Sequence, residues 1–133
     1  MISVGESGYE IELGGLSVLY CMVDYGFTIC FEQNVTIRIE GPFTYRRDEK
    51  SWELDPEHQP EGLGPTLTLP RTKGRGGTVD LDGILRLTFD DGTELVVPPD
   101  EHYEAWTLST NDGLLVCCPG GQIAFFGKPD DQR

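Results

Sequence analysis

The sequence predicts a mainly β domain. The expected architecture is an antiparallel β-sandwich or partly open barrel of about eight to ten short strands, with at most one short helix. Three observations predict it. Apolar residues recur with a period of two along much of the chain, as in Tyr25, Phe27, Ile29 and Phe31 or Leu85, Leu87 and Phe89. The 133 residues include 17 glycines and 9 prolines, many beside short apolar runs, which is the punctuation of strands and turns. Strands in that number curl or pack more readily than they lie flat.

Taken in order, Leu16–Val23 is apolar at both parities and reads as a central strand covered on both sides. Asp24-Tyr25-Gly26 turns the chain into the alternating run that ends at Phe31. Gln33-Asn34 turns it again into Val35, Ile37 and Ile39. Phe43 and Tyr45 keep that parity beyond Gly41-Pro42, where the proline predicts a bulge or an edge. Arg46–Lys50 reads as a charged loop, and Trp52 and Leu54 flank a short extended piece.

Residues 55–77 form the least regular segment, with Pro56, Pro60, Pro65 and Pro70. Leu63, Leu67 and Leu69 fit a short helix or an extended strip equally well. The basic tip Arg71–Gly77 reads as a mobile loop. Regularity returns with Leu85, Leu87 and Phe89, then Leu95 and Val97. Asp90-Asp91-Gly92 between them is the strongest hairpin signal in the chain. Pro98-Pro99 ends that strand, and Asp100–Glu104 is expected to make one helical turn capped by Asp100. Trp106 and Leu108, Leu114–Cys118 and Ile123–Phe126 complete the strands. The polar tail from Lys128 is expected to fray. The whole chain reads as one domain without a repeat.

The charge is lopsided, with 23 acids against 10 bases and a net charge of −13. Such a field repels phosphate, which argues against nucleic acid or an anionic membrane as partner; it would attract a basic protein surface, but taken by itself the charge is read first as maintaining solubility and second as steering a partner. No basic segment followed by an apolar one opens the chain, so no secretory signal is read and a cytoplasmic location is expected.

Catalytic signatures are missing. Cys21, Cys30, Cys117 and Cys118 fall in apolar strands, where thiols are inert, and they lack C-x-x-C spacing. No G-x-S-x-G elbow or phosphate-binding glycine loop is present. Asp80-Leu81-Asp82-Gly83 fails the calcium-loop pattern because its glycine comes too early. Catalytic, metal and cofactor residues are therefore assigned to none. The stretch Asp90–Trp106 stands out instead, with acids, no base, and Tyr103 and Trp106. Trp106 reads as core. Asp90, Asp91, Glu94, Asp100, Glu101, Tyr103 and Glu104 are the candidate partner-binding residues, an aromatic anchor among acids.

Those residues also carry a resemblance. Gly83, Leu85, Leu87, Phe89, Asp91-Gly92, Leu95, Val97-Pro98, Tyr103-Glu104, Trp106, Gly113 and Pro119-Gly120-Gly121 together resemble a family of small bacterial proteins of unknown function, over Leu16–Phe126. That family brings no catalytic assignment. Small acidic proteins of this style are similar to immunity proteins encoded beside secreted toxins, an analogy of style rather than of site. The favoured reading is an immunity or antitoxin-type inhibitor of a basic partner. The alternative is a small-molecule-binding barrel with a pocket lined by Tyr20, Phe27, Phe31 or Trp52. An enzyme using carboxylates or thiols ranks last.

Overall fold

A computed structural model describes residues 1–127. The tail expected to fray, 128–133, lies outside the described residues. Two antiparallel sheets face each other as a sandwich. The seven-stranded sheet contains β1 (Ile2–Gly5), β2 (Gly8–Ile11), β6 (Phe43–Arg47), β7 (Lys50–Leu54), β8 (Gly74–Val79), β9 (Leu85–Phe89) and β10 (Glu94–Val97). The six-stranded sheet contains β3 (Val18–Val23), β4 (Phe27–Phe31), β5 (Thr36–Ile39), β11 (Trp106–Thr110), β12 (Gly113–Cys117) and β13 (Ile123–Gly127). Their orders are β1-β2-β8-β9-β10-β6-β7 and β13-β12-β11-β5-β4-β3.

The alternating apolar residues close the sandwich. Phe27, Ile29 and Phe31 of β4 and Ile37 and Ile39 of β5 point inward against Phe43, Tyr45, Leu85, Leu87, Phe89 and Leu95, and all are buried. Phe27 stacks on Phe43 and Phe31 on Phe89, each pair spanning the two sheets. The hairpin at Asp90-Asp91-Gly92 forms as expected, with β9 and β10 in register from Leu85↔Val97 to Thr88↔Glu94.

Several expectations change. Three strands lie outside the expected set: β1, β2 and β8. The basic tip Arg71–Gly77 is not a mobile loop, because Gly74–Val79 is β8, paired with both β2 and β9. Its glycines hide the alternation a strand normally shows. They are needed for close packing: a Cβ on Gly74 would sit 2.8 Å from Leu13 Cβ, and one on Gly77 3.2 Å from Leu87 Cδ2. Leu16–Val23 is not a strand covered on both sides. It supplies β3, the edge of its sheet, with Leu19, Tyr20, Met22 and Val23 exposed. Arg46–Lys50 is not a loop. Asp48 and Glu49, at φ 51° and 65°, make a two-residue turn between β6 and β7. Gly41-Pro42 carries the chain from one sheet to the other. No helical turn forms over Asp100–Glu104; the chain bends at Glu101–Tyr103 instead.

The one helix among the described residues is a 3-10 helix, Pro60–Arg71. Its buried residues are Leu63, Thr66 and Leu69, a spacing of three that matches three residues per turn. Leu67 points to solvent. Thr66 and Thr72 bury their hydroxyls by donating to the carbonyls of Leu63 and Leu69. The helix packs beside β3, and Arg47 from the β6–β7 hairpin donates to the carbonyl of Pro65 at 2.6 Å. No helix among the described residues is long and apolar enough to cross a membrane.

Four residues of the family-like pattern meet at one junction. Gly83 sits in the β8–β9 turn at φ +85°, and a Cβ there would overlap the carbonyl oxygen of Gly121. Gly121 belongs to the β12–β13 turn, where the N–H of Gly120 donates to the carbonyl of Asp100 at 2.8 Å. Trp106, fully buried, donates its indole N–H to the carbonyl of Gly83. The expectation that Trp106 is core holds.

Candidate functional site

The acidic stretch around β10 divides in two. Asp90, Asp91 and Glu94 sit at the hairpin end of the strand, and each is engaged within the sheet. Asp90 exchanges two hydrogen bonds with the backbone of Lys73: its N–H donates to the carbonyl at 2.9 Å, and its Oδ1 accepts the Lys73 N–H at 3.1 Å. Asp91 Oδ1 accepts the N–H of Thr93 at 2.9 Å, closing an Asx turn. Glu94 pairs with Arg46 at 2.8 Å, directly across the β10–β6 register. Asp100, Glu101, Tyr103 and Glu104 follow the other end of β10. Leu95, Val96 and Val97 of β10 lie between the two groups along the chain.

The second group gains companions that lie far away in sequence. Asp100 Oδ1 accepts the N–H of His102 at 2.8 Å, bending the chain so that Tyr103 comes over Gly41. A Cβ on Gly41 would lie 3.4 Å from the Tyr103 hydroxyl, in ordinary contact, which places the tyrosine directly over this glycine. Burial raises the Tyr103 hydroxyl above its ordinary value, and the charge of Asp100 beside it, with those of Glu57 and Asp55, raises it further. Asp55 and Glu57 follow β7 and precede the 3-10 helix. His58 is tethered there, with Nδ1 3.1 Å from Asp55 Oδ2. The result is a tyrosine 37% exposed, with Asp55, Glu57 and Asp100 around it and Glu101 and Glu104 exposed alongside. Sequence reasoning missed Asp55 and Glu57. The chain separation from Tyr103 is over forty residues, and no spacing rule reaches across it.

The chemistry available elsewhere is modest. All four cysteines are free thiols. Burial pushes Cys21 up to about 12 and Cys117 to about 11, so neither supplies thiolate near neutral pH. Among the described residues no three His, Cys, Asp or Glu side chains are grouped to hold a metal. Asp80 Oδ1 accepts the N–H groups of Asp82 and Ile84, a turn role.

The residues suggested for an internal ligand pocket do not share a hollow. Phe27 and Phe31 are core, Tyr20 lies on the exposed edge strand, and Trp52 packs on Tyr45 and under Arg47. A solvent-open groove of about 1010 Å³ does lie against the seven-stranded sheet, with Ser3, Tyr9, Glu10, Thr78, Arg86 and Glu94 among its lining.

A family model described as a family of unknown function (DUF6188) matches residues 9–127. No curated protein and no solved structure matches the chain.

Proposed function

We propose, for a chain that belongs to the DUF6188 family of unknown function, that it is a non-catalytic inhibitor of immunity type, which captures a basic protein on the acidic surface around Tyr103. The observation that carries this reading is the convergence of Asp55, Glu57 and Asp100 on one partly exposed tyrosine. A half-exposed tyrosine offers apolar area at low entropic cost, and it is a frequent anchor of binding energy. The acids around it steer a basic surface toward it and reject acidic competitors. The net charge of −13 extends that steering over the whole molecule. The inward side chains are occupied in packing the two sheets together, which leaves the exterior as the working surface.

The test uses the tagged chain expressed in its native host, with bound proteins identified after capture. A basic protein is expected, released by raising the salt. Tyr103→Ala should weaken the purified pair by about thirtyfold or more, the scale of an interface anchor. Recovery of no protein partner, or of one indifferent to both salt and Tyr103, would overturn the reading.

A further inference from the structure

Five of the ten exposed large apolar residues fall within seven positions of the chain: Leu19, Tyr20, Met22, Val23 and Tyr25. They occupy β3 and the turn that follows it. Leu67, 78% exposed on the 3-10 helix that packs beside β3, adds a sixth. We infer that β3 is a self-association edge, and that two copies of this chain join through it about a two-fold axis.

Four observations support that occupant. First, β3 is an edge strand, and among the described residues its side away from β4 makes one backbone bond, from the Val18 N–H to the Thr72 carbonyl at 3.0 Å. Beyond Val18 that edge is open to pairing. Second, apart from the 3-10 helix packed beside it, it lacks the usual protection of an edge. The edge strand β7 carries Lys50 and Glu53, whereas Val18–Val23 carries no charge and no proline. Third, charge is partly offset at this place. Two bodies of net charge −13 repel wherever their acids meet. Here the adjacent acids Asp24 and Glu40 share Arg38, at 3.1 and 3.6 Å, and the Glu32 carboxylate accepts the N–H of Ser17. The outer row in register with Met22, formed by Thr28, Arg38, Thr107, Val116 and Ala124, brings no other charge. Fourth, the exposed area counts toward an interface. At ~150–250 Å² per aromatic side chain, Tyr20 and Tyr25 alone expose roughly 200–300 Å² of the ~800 Å² that each partner of a stable interface buries. A two-fold axis lets the same edge serve both copies and leaves no open end.

This inference is independent of the basic partner, and salt separates the two. Raising salt from about 0.05 to about 0.5 M shortens the Debye length. It should tighten an apolar contact between like-charged bodies severalfold, and loosen an acid-to-base one. Analytical ultracentrifugation of the wild-type chain should therefore give twice the 14.8 kDa chain mass at high concentration. Leu19→Glu/Met22→Glu should weaken self-association at least tenfold with the far-UV spectrum unchanged. Leu81→Glu, at a residue 75% exposed in the β8–β9 turn, should leave it intact. A single-chain mass up to about 1 mM (a Kd too weak to matter), a double variant as dimeric as wild type, equal dissociation by Leu81→Glu, or weakening by salt would each overturn the inference.

Discussion

The indole Nε1 of Trp106 donates to the carbonyl oxygen of Gly83 at 3.1 Å, from a strand of the six-stranded sheet to a turn of the seven-stranded one. The Cys117 thiol lies 3.6 Å from the same oxygen, a contact too weak to replace the indole. Trp106→Phe would remove ring volume from a fully buried site and strip a buried carbonyl of its main partner. The expected loss is about 2–4 kcal/mol in urea unfolding. A loss below about 0.5 kcal/mol would mean that this junction does not hold the sheets together.

Thr93 and Tyr45 lie close together, buried, near enough for Thr93 and Arg47 to act on the Tyr45 hydroxyl, yet among the described residues neither hydroxyl makes a hydrogen bond of good geometry. Thr93→Val keeps the shape and removes an unsatisfied group. Its stability should stay level or rise by about 1 kcal/mol. Chemical denaturation decides the matter, and a clear loss would show that the hydroxyl is satisfied in solution.

Alkali should destabilise the protein before it reaches the lysines. Cys117 and Cys21 are raised from 9.0 to about 11 and about 12, both chiefly by burial. Burial also raises Tyr45 from 10.0. An unfolded thiol begins to ionise near 9 while the folded one stays protonated, so the unfolded state then binds fewer protons. Stability is therefore complete below about 9 and falls as pH rises toward the folded values. Melting curves between about pH 8 and 11 should show this fall, and Cys117→Ala should make it shallower whatever its effect at neutral pH. Equal slopes for the variant and wild type would contradict the assignment.

The two ends of β10 should respond differently to loss of charge. Asp90→Asn and Asp91→Asn disturb carboxylates that accept backbone N–H groups, so they should cost stability, about 0.5–1.5 kcal/mol each, and leave partner binding nearly unchanged. Glu101→Gln with Glu104→Gln, at exposed carboxylates, should do the reverse for binding, slowing association of the basic partner severalfold at low salt. Surface plasmon resonance with the captured partner reads both, and equal effects from the two ends would argue against a binding surface centred on Tyr103.

Much of the fold was legible because most strands announce themselves. Leu85, Leu87 and Phe89 alternate cleanly around the Asp-Gly turn, and Trp106 and Leu108 alternate after it. β8 was hidden because Gly74, Gly76 and Gly77 have no side chains to alternate. β3 was misread because apolar residues at both parities describe a strand buried on two sides and an exposed sticky edge equally well. Only the position in the sheet distinguishes these, and that position is set by long-range pairing. The candidate site was half legible for the same reason. Local acids near Tyr103 could be read from the chain, but the charges of Asp55 and Glu57 act on it only through the tertiary fold. Asp90, Asp91 and Glu94 looked equivalent to them until their partners Lys73, Thr93 and Arg46 were placed.

The neighbour of β2 is β8, with Tyr9 opposite Val79. The opening hairpin must therefore wait for a strand made 70 positions later. During synthesis its inward residues, Ile2 and Ile11, leave the ribosome long before anything can cover them, while β3, β4 and β5 can zip together locally. Closing such a distant pair is entropically slow. Docking of the amino-terminal hairpin is then expected to be a late event, and the stage at which the nascent chain is most exposed to aggregation.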